Sequence, residues 1–496
     1  MPSAKPYLSK SRLISAWQCP KRLHLEVHHP EYAEVSARTE ALFAVGNRVG
    51  EISQQLYGTA ESVEIAFNRT MSLMVQQTRE LIDGGADFPI FEATFQHDDI
   101  LVRVDVLIPN GDGNGDGWEA IEVKASTSVK PYHKLDCAIQ YWVMRGIGLN
   151  ITSMSLAHIN NQFVYRGDGD YEGLLVAVDL TQEVLALEPT VVELITRARD
   201  AVTGPMPEID VGTHCSKPYE CQFINHCWPT DAEYPITGLG GGKAKLGTLV
   251  ALGFRDIRDV KIDDLSAATQ QRIHRVTCAG VPEILDGARQ TLAALPYPRY
   301  FLDFETIGPA VPFWKGTRPY ASVPVQWSCH IDDGKGDGSA NVMCHEEFLD
   351  LSGEPPMRAL AQKMIDCLGD NGPILMWTNY EEGVISYLIE LLPDLAEPLQ
   401  KIIDRLYDLH PVVRENYYHP KMLGSWSIKA VLPCIAPYMN YAELEGINAG
   451  MAASDGFIEA IDPNTSPERK AELEEQLLRY CKFDTEAMVE IVRFFA

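Results

Sequence analysis

Acidic side chains recur in this sequence at spacings that suit metal-assisted hydrolysis. In RYFLDFETIG an apolar run carries Asp303 and Glu305, two apart and therefore on one face of a strand. Far downstream, LLRYCKFDTEAM reads as helix, with Tyr480 and Asp484 four apart on one helix face. Between them MWTNYEEGVI ends a strand in Asn379, Tyr380 and Glu381, and Asp408 in RLYDLHP competes with Glu381 for the same role. Acids drawn from a strand, a helix start and a late helix can hold two divalent cations, magnesium or manganese, about 3.5–4 Å apart. Such a pair clamps the attacking and leaving oxygens of an in-line displacement. Tyr480, with an ordinary pKa of about 10, would position a water rather than strip it of a proton.

A second set lies in the first half. LVRVDVLIPN alternates apolar residues with Arg103 and Asp105, the period of a strand with one polar face. In WEAIEVKAS, Glu122 and Lys124 share a strand face. Two carboxylates can hold magnesium, which lowers the pKa of a water, and the ammonium can steady developing charge. Spacing alone also allows an exposed sheet edge with a Glu–Lys pair.

The cysteines divide into two groups. Cys215, Cys221 and Cys227 form a C-x5-C-x5-C run in HCSKPYECQFINHCW, and Cys19 in SAWQCPKRLHLE is the natural fourth thiol. Four thiolates suit zinc or an iron–sulfur cluster, although the paired C-x2-C knuckles usual for zinc are absent. His214 and His226 read as neighbours rather than ligands. Cys137, Cys278, Cys329, Cys344, Cys367, Cys434 and Cys481 read as isolated buried fillers.

The words around these residues carry resemblances. D-V-L … E-V-K-A-S … A-I-Q-Y resembles the RecB-like branch of the PD-(D/E)XK nucleases. That resemblance implies catalytic roles for Asp105, Glu122 and Lys124, with Gln140 assisting from a helix. Where many members place a His after a Gly on an earlier helix, this chain has Glu51 beside Gly50, a substitute metal or water ligand. Met144 stands where the branch has Tyr. One far N-terminal cysteine plus three after the nuclease motifs resembles the cluster-bearing RecB-like nucleases, among them CRISPR-adaptation exonucleases and the nuclease arm of AddAB-type helicase–nucleases. It implies a 4Fe-4S cluster on Cys19, Cys215, Cys221 and Cys227, although the family's first cysteine gap is shorter. The D-x-E pair with a late Tyr-x-x-x-Asp resembles the DEDD exonucleases of the ribonuclease-H-like fold. It implies Asp303, Glu305, Glu381, Tyr480 and Asp484 as the site, with Glu381 replacing the usual Asp. The whole arrangement resembles an uncharacterised bacterial family that joins the two nuclease domains.

The elements that must position these residues are legible as segments. The text is helical over 38–57 and 72–81, strand-like over 100–108 and 118–123, and helical again over 134–145. GDGNGDG, residues 111–117, reads as the hairpin loop between the two strands. ITGLGGGKAKLG reads as a linker; Thr237 and Ala244 stand where a phosphate-binding loop needs Gly and Ser or Thr. The expected organisation is α/β: a PD-(D/E)XK restriction-endonuclease-like domain over 1–230, a small helical segment over 231–295 and a ribonuclease-H-like domain over 296–496. In YYHPKMLGSWSIKAVLP, Lys421, Ser425, Ser427 and Lys429 either grip a nucleic-acid backbone or form a plain surface loop.

Composition narrows the function classes. With 42 Lys+Arg against 69 Asp+Glu the net charge is −27, which disfavours a protein that holds DNA by phosphate neutralisation alone. No apolar run approaches the roughly 18–20 residues of a membrane span, and the N-terminus has no signal-like apolar core, so the expectation is a soluble cytoplasmic protein. The reading is a metal-dependent nuclease with two active centres and an iron–sulfur cluster, acting on single-stranded or end-bearing DNA, delivered by a partner such as a helicase. An RNA exonuclease active only in the C-terminal half and a catalytically silent scaffold are the alternatives.

Overall fold

Strand-period patterning in the first half builds a mixed sheet around the first acid set. The computed structural model describes residues 8–34, 37–110, 117–335 and 343–496. The strands are β1 (Leu8–Ser9), β2 (Val63–Glu64), β3 (Ile90–His97), β4 (Ile100–Pro109), β5 (Trp118–Lys124), β6 (Ile151–Ile159) and β7 (Leu175–Asp179). Their order is β2-β3-β4-β5-β6-β7, with β1 pairing in parallel onto β4. β4 is antiparallel to both of its neighbours, β3 and β5. The turn expected at 111–117 lies, apart from Gly117, outside the described residues. β5 and β6 are parallel and so need a crossover, which the helix α2 (Pro131–Gly146) supplies. Pro131 opens that helix and His133 Nδ1 accepts from the Lys130 N–H at 3.1 Å, capping it. Together with the earlier helix α1 (Lys10–Gln18), α2 packs Leu135, Ile139 and Val143 against Val104, Ala120 and Leu156 of the sheet.

The second half builds a second mixed sheet from β9 (Arg299–Ile307), β10 (Val323–Asp332), β11 (Cys344–Leu349), β12 (Ile374–Met376) and β13 (Leu406–Asp408). The order is β11-β10-β9-β12-β13. β9 is therefore interior, antiparallel to β10 and parallel to β12. Two shorter strands, β8 (Glu283–Ile284) and β14 (Tyr417–Tyr418), pair separately. The helices α3 (Tyr380–Leu391) and α4 (Leu409–Asn416) follow β12 and β13 directly. The short α5 (Ile428–Ile435) precedes the long α6 (Pro467–Phe495). Ser466 caps α6 by accepting from the Arg469 N–H, and Pro467 sits in its first turn. Its buried residues Leu473, Leu477, Tyr480, Asp484 and Met488 recur every three or four positions, so one stripe faces β9 and β10. Gln326 of β10 donates to the Leu477 carbonyl at 2.9 Å, which fixes the height of α6 on the sheet.

The architecture is mixed α/β in both halves. The chain divides into two compact units: residues up to 228 with 242–251 and 310–319, and residues 229–241, 252–309 and 320–496. The stretch 231–295 is thus shared, 242–251 going to the first unit and the remainder to the second. No described helix is long and apolar enough to cross a membrane.

A buried polar chain lies behind the acid-bearing face of α6. His345 Nε2 is 2.9 Å from Ser328 Oγ, which is 3.0 Å from Thr485 Oγ1, and His330 Nδ1 is 2.8 Å from the same hydroxyl. Burial, then His345 and Lys482, hold His330 down to about 3; burial, then Lys482, hold His345 down to about 4. An unfolded histidine titrates near 6.5, so the pair stabilises fully above about pH 6.5 and the contribution is lost as pH falls toward 4 and below. Between pH 7 and 4 the wild-type melting temperature should fall by a few degrees more than that of His345→Gln, measured by circular dichroism. Equal slopes for the two proteins would contradict this assignment.

Candidate active sites

In the second unit Asp303, Glu305, Tyr480 and Asp484 line one open cavity of about 370 Å³, together with Trp377 and Lys429. Strand parity delivers the first pair and helix periodicity the second. The ligand atoms of Asp303, Glu305 and Cys481 lie within 4.8 Å of one another, the one such trio among the described residues. Cys481, expected to be an inert filler, is part of the site: its Sγ is 3.8 Å from both the carbonyl oxygen and Oδ2 of Asp303. Sitting beside Tyr480 on α6, it faces the sheet through the same turn of helix.

These acids repel one another in a poorly solvated place. Burial, then Asp484, Glu305 and Glu381, push Asp303 well above the usual carboxylate range. Burial and Asp484 do the same to Glu305. Asp484 is raised to about 6 by burial, restrained by hydrogen bonds from Tyr441 and Tyr480 and by the Lys429 ammonium. Tyr441 O–H donates to Asp484 Oδ1. Lys429 Nζ sits 4.9 Å from the ring centroid of Tyr441 and 5.2 Å from that of Tyr480, and donates to the Asn448 carbonyl at 2.8 Å. Of the four loop residues expected to grip a backbone, Lys429 is the one that lines this cavity.

Glu381 lies beside the cavity rather than on its wall. β12 ends at Met376, earlier than expected, and Glu381 occupies the first turn of α3, where the helix dipole favours an acid. Thr378 between them has φ 74°, a strained value for a β-branched residue, and its N–H donates to Asp408 Oδ1 at 2.9 Å. That oxygen also caps α4 through the His410 N–H at 2.8 Å, so Asp408 holds backbone. Glu381 Oε2, by contrast, is buried without a hydrogen-bond partner, and burial, Asp408 and Asp484 raise its pKa to about 8. An orphaned carboxylate oxygen beside three mutually repelling acids fits a divalent cation, since bound positive charge is what the set lacks.

In the first unit Asp105, Glu122, Lys124 and Gln140 also converge. Gln140 Nε2 donates to Glu122 Oε2 at 2.5 Å, and the Val123 N–H donates to Asp105 Oδ2 at 2.6 Å. Two residues not foreseen complete the set. Lys10, at the start of α1, is 2.8 Å from Glu122 Oε1 and 3.3 Å from Asp136 Oδ1. Lys124 pairs with Glu122 and lies 2.7 Å from Asp136 Oδ2. The spacing of Asp136 and Gln140, four apart on one helix face, is the signal that could have found Asp136; nothing near Lys10 marks it. Burial and Glu122 raise Asp105 to about 8, whereas for Glu122 the two lysines outweigh burial and hold it below the usual carboxylate range. The two acids are thus pushed in opposite directions, Asp105 up and Glu122 down. A cation joining Asp105 and Glu122 would compete with both lysines for Glu122 Oε1, so this set fits a metal less readily than the second. Glu51 is not part of it: its side chain is exposed and pairs with Arg48 at 2.6 Å.

Cys19, Cys215, Cys221 and Cys227 line one pocket of the first unit. Cys19 is the junction between α1 and the next helix, Pro20–His28. Gln18 Nε2 ties that junction to the cysteine loop through the His214 and Tyr219 carbonyls, at 2.7 and 2.8 Å. Burial raises Cys19 and Cys227 and pushes Cys221 up to about 11; Cys215 adds to each, while Lys21 and Arg22 pull the other way. Four thiols, Cys215 and Cys221 buried and Cys19 and Cys227 half-buried, beside two cations suit a soft metal or an anionic cluster. His214 Nε2 is 3.7 Å from Cys215 Sγ, whereas His226 stacks on Tyr32. Two cysteines expected to be buried, Cys278 and Cys344, are exposed.

Residues 300–427 match the model of DUF2779, a domain of unknown function. No curated protein matches the chain. The DUF2779 span carries Asp303, Glu305, Glu381 and Asp408 but ends before Lys429, Tyr480 and Asp484, so the cavity draws on residues both inside and beyond it. Replacing Asp303 by Asn should raise the stability of metal-free protein by about 0.5–2 kcal/mol, because repulsion at the site is relieved. Manganese should raise the melting temperature of wild type and not of Asp303→Asn. Identical manganese responses in the two proteins would remove the cation assignment.

Proposed function

We propose that this protein is a metal-dependent nuclease that hydrolyses phosphodiester bonds at the Asp303–Glu305–Asp484 cavity. The observation that carries the reading is the convergence of those three acids with Tyr480 in one open cavity. Asp303, Glu305 and Asp484 would hold magnesium or manganese, which supplies Lewis acidity and lowers the pKa of water. The second unit is then a ribonuclease-H-like domain with a DEDD-type site, in which Glu381 takes the place of an Asp.

The remaining steps belong to the chain's own groups. Burial and the surrounding acids push the Tyr480 phenol far up, so it stays protonated and orients water as a hydrogen-bond donor rather than acting as a base. Tyr441 holds Asp484 in place. Lys429, across the same cavity, is placed to meet charge on a non-bridging phosphate oxygen as the substrate distorts. Trp377 and Tyr380 on the cavity wall offer aromatic faces on which a terminal base can stack.

A second, RecB-like centre at Asp105, Glu122, Lys124 and Gln140 belongs to the same proposal, supported by the opposed pKa shifts of its two acids. So does a 4Fe-4S cluster, with zinc as the alternative, on the four cysteines that line one pocket. DNA, single-stranded or entered from an end, is the proposed substrate, and RNA the alternative where the second unit alone is active. The acidic chain suits delivery by a partner protein in the cytoplasm over tight unaided duplex binding.

With magnesium or manganese present, Asp303→Asn should lower hydrolysis of single-stranded DNA about a thousandfold. Lys429→Met should lower kcat roughly 10²-fold with little change in KM. Glu122→Gln reports separately on the first unit. Undiminished hydrolysis in both Asp303→Asn and Glu122→Gln would end the nuclease reading. Protein purified without oxygen should contain iron that is lost in Cys221→Ser; colourless, zinc-loaded protein would assign the alternative metal.

A further inference from the structure

A second cavity of the same unit, about 320 Å³, is lined by Thr269, Arg272, His410, Pro411, Arg414 and Trp426, with Glu415 as its one carboxylate. Its volume falls in the roughly 300–1,000 Å³ range of small-ligand sites. The chemistry of its wall is opposite to that of the acidic cavity. Arg272 and Arg414 both lie over the Trp426 ring, at 5.8 and 5.9 Å from its centroid. Trp426 is fixed by its indole N–H, which donates to the Tyr417 carbonyl at 2.9 Å.

Neither guanidinium is fully used. Arg272 meets Glu283 through Nε at 2.5 Å and the Arg414 carbonyl through Nη1, but its Nη2 is buried with no hydrogen-bond partner. Glu283 is already shared with Arg275. Arg414 is exposed, and among the described residues no carboxylate pairs with it. In a chain of net charge −27, two arginines beside one aromatic face, one of them without a carboxylate partner, are a local exception suited to an anion. The exposed guanidinium of Arg414, with no carboxylate partner, is the donor an oxyanion in the cavity would meet through charge-assisted hydrogen bonds.

The basic cavity adjoins the acidic one. His410 lines the former, Trp377 lines the latter, and their rings meet edge to face with centroids 5.8 Å apart. We propose that the Arg272–Arg414–Trp426 cavity is a phosphodiester-binding subsite, which grips the body of a single-stranded DNA whose end lies among Asp303, Glu305 and Asp484. The inference rests on the nuclease reading for what occupies the acidic cavity. Its own chemistry is the recognition of a phosphate by two arginines, with a base or sugar against Trp426. A backbone phosphate and free inorganic phosphate share that chemistry, and the test separates them.

The experiment uses the full chain without divalent metal, so that no hydrolysis intervenes, and a fluorescently labelled short oligothymidylate followed by anisotropy across a salt series. Arg414→Gln removes an exposed side chain and leaves the core intact. It should weaken binding about tenfold at low salt and reduce the slope of log K against log salt by about 0.7, the value of one lost single-strand phosphate contact. Arg414→Lys should recover most of the slope but less of the affinity, because a point charge replaces a fork. With metal restored, Arg414→Gln should raise KM for the oligonucleotide about tenfold, in step with its weaker binding. Wild-type affinity and slope in Arg414→Gln would overturn the subsite even if Asp303→Asn abolishes hydrolysis. Loss of affinity and slope in a protein that hydrolyses nothing would uphold the subsite while the nuclease reading fails. Displacement of the oligonucleotide by equimolar inorganic phosphate would overturn the strand assignment.

Discussion

Repulsion among buried carboxylates is the constraint on which the second unit turns. Two acids and a thiol are brought within 4.8 Å of one another, with Asp484 nearby, by a strand and a helix that must pack for ordinary hydrophobic reasons, and the packing leaves the charges poorly solvated. Leu473, Leu477 and Met488 drive α6 onto the sheet regardless of what lies between them. Their burial forces Tyr480, Cys481 and Asp484 against β9. The chain softens the conflict through Tyr441, Tyr480 and Lys429 but does not resolve it, since Asp303 and Glu305 remain far above their usual range. A fold that spends stability at one place and recovers it around that place is the expected signature of a site kept for chemistry.

The first unit handles the same problem in the opposite way. Its acids, Asp105, Glu122 and Asp136, face two ammonium groups that the fold itself provides, Lys10 and Lys124. Glu122 is satisfied on both oxygens, by the lysines on one side and Gln140 on the other. Removing a lysine from such a buried set is costly because its carboxylate partners are left charged and less well paired. The two units therefore differ in what they ask of a ligand. One lacks a cation, and the other must exchange one of its own.

How much of this was legible follows from the range over which each signal acts. Asp303 with Glu305, and Tyr480 with Asp484, sit within one strand or one helical turn, where the backbone period alone fixes a shared face. Asp105 and Glu122 lie on neighbouring strands whose antiparallel pairing the sequence already implies, so their meeting follows from local pattern. The cysteines were legible by type, since four soft ligands are rare enough to stand out. Lys10 reaches Glu122 only because α1 docks beside a sheet formed a hundred positions later, and no periodicity encodes that. Tyr441 opens a three-residue 3-10 helix that no periodicity marks, and Cys481 resembled a filler because it stands alone in helical text. Glu51 went the other way: a family pattern placed it near the site, whereas helical phase puts Val49 and Ile52 inward and leaves Glu51 in water.

The contrast between the two cavities of the second unit bears on how an acidic protein can hold a polyanion at all. The summed charge repels a strand at long range, but beyond about 8–10 Å such a field is screened at physiological salt. What counts at contact is the local arrangement. Arg272 and Arg414 are held by Trp426 and Glu283 before any ligand arrives, so little side-chain entropy is lost when an anion binds. The acids of the neighbouring cavity add repulsion until a cation neutralises them. On the proposed reading, binding of metal and strand would be coupled, each lowering the electrostatic cost of the other, with the ring pair Trp377–His410 between the two cavities.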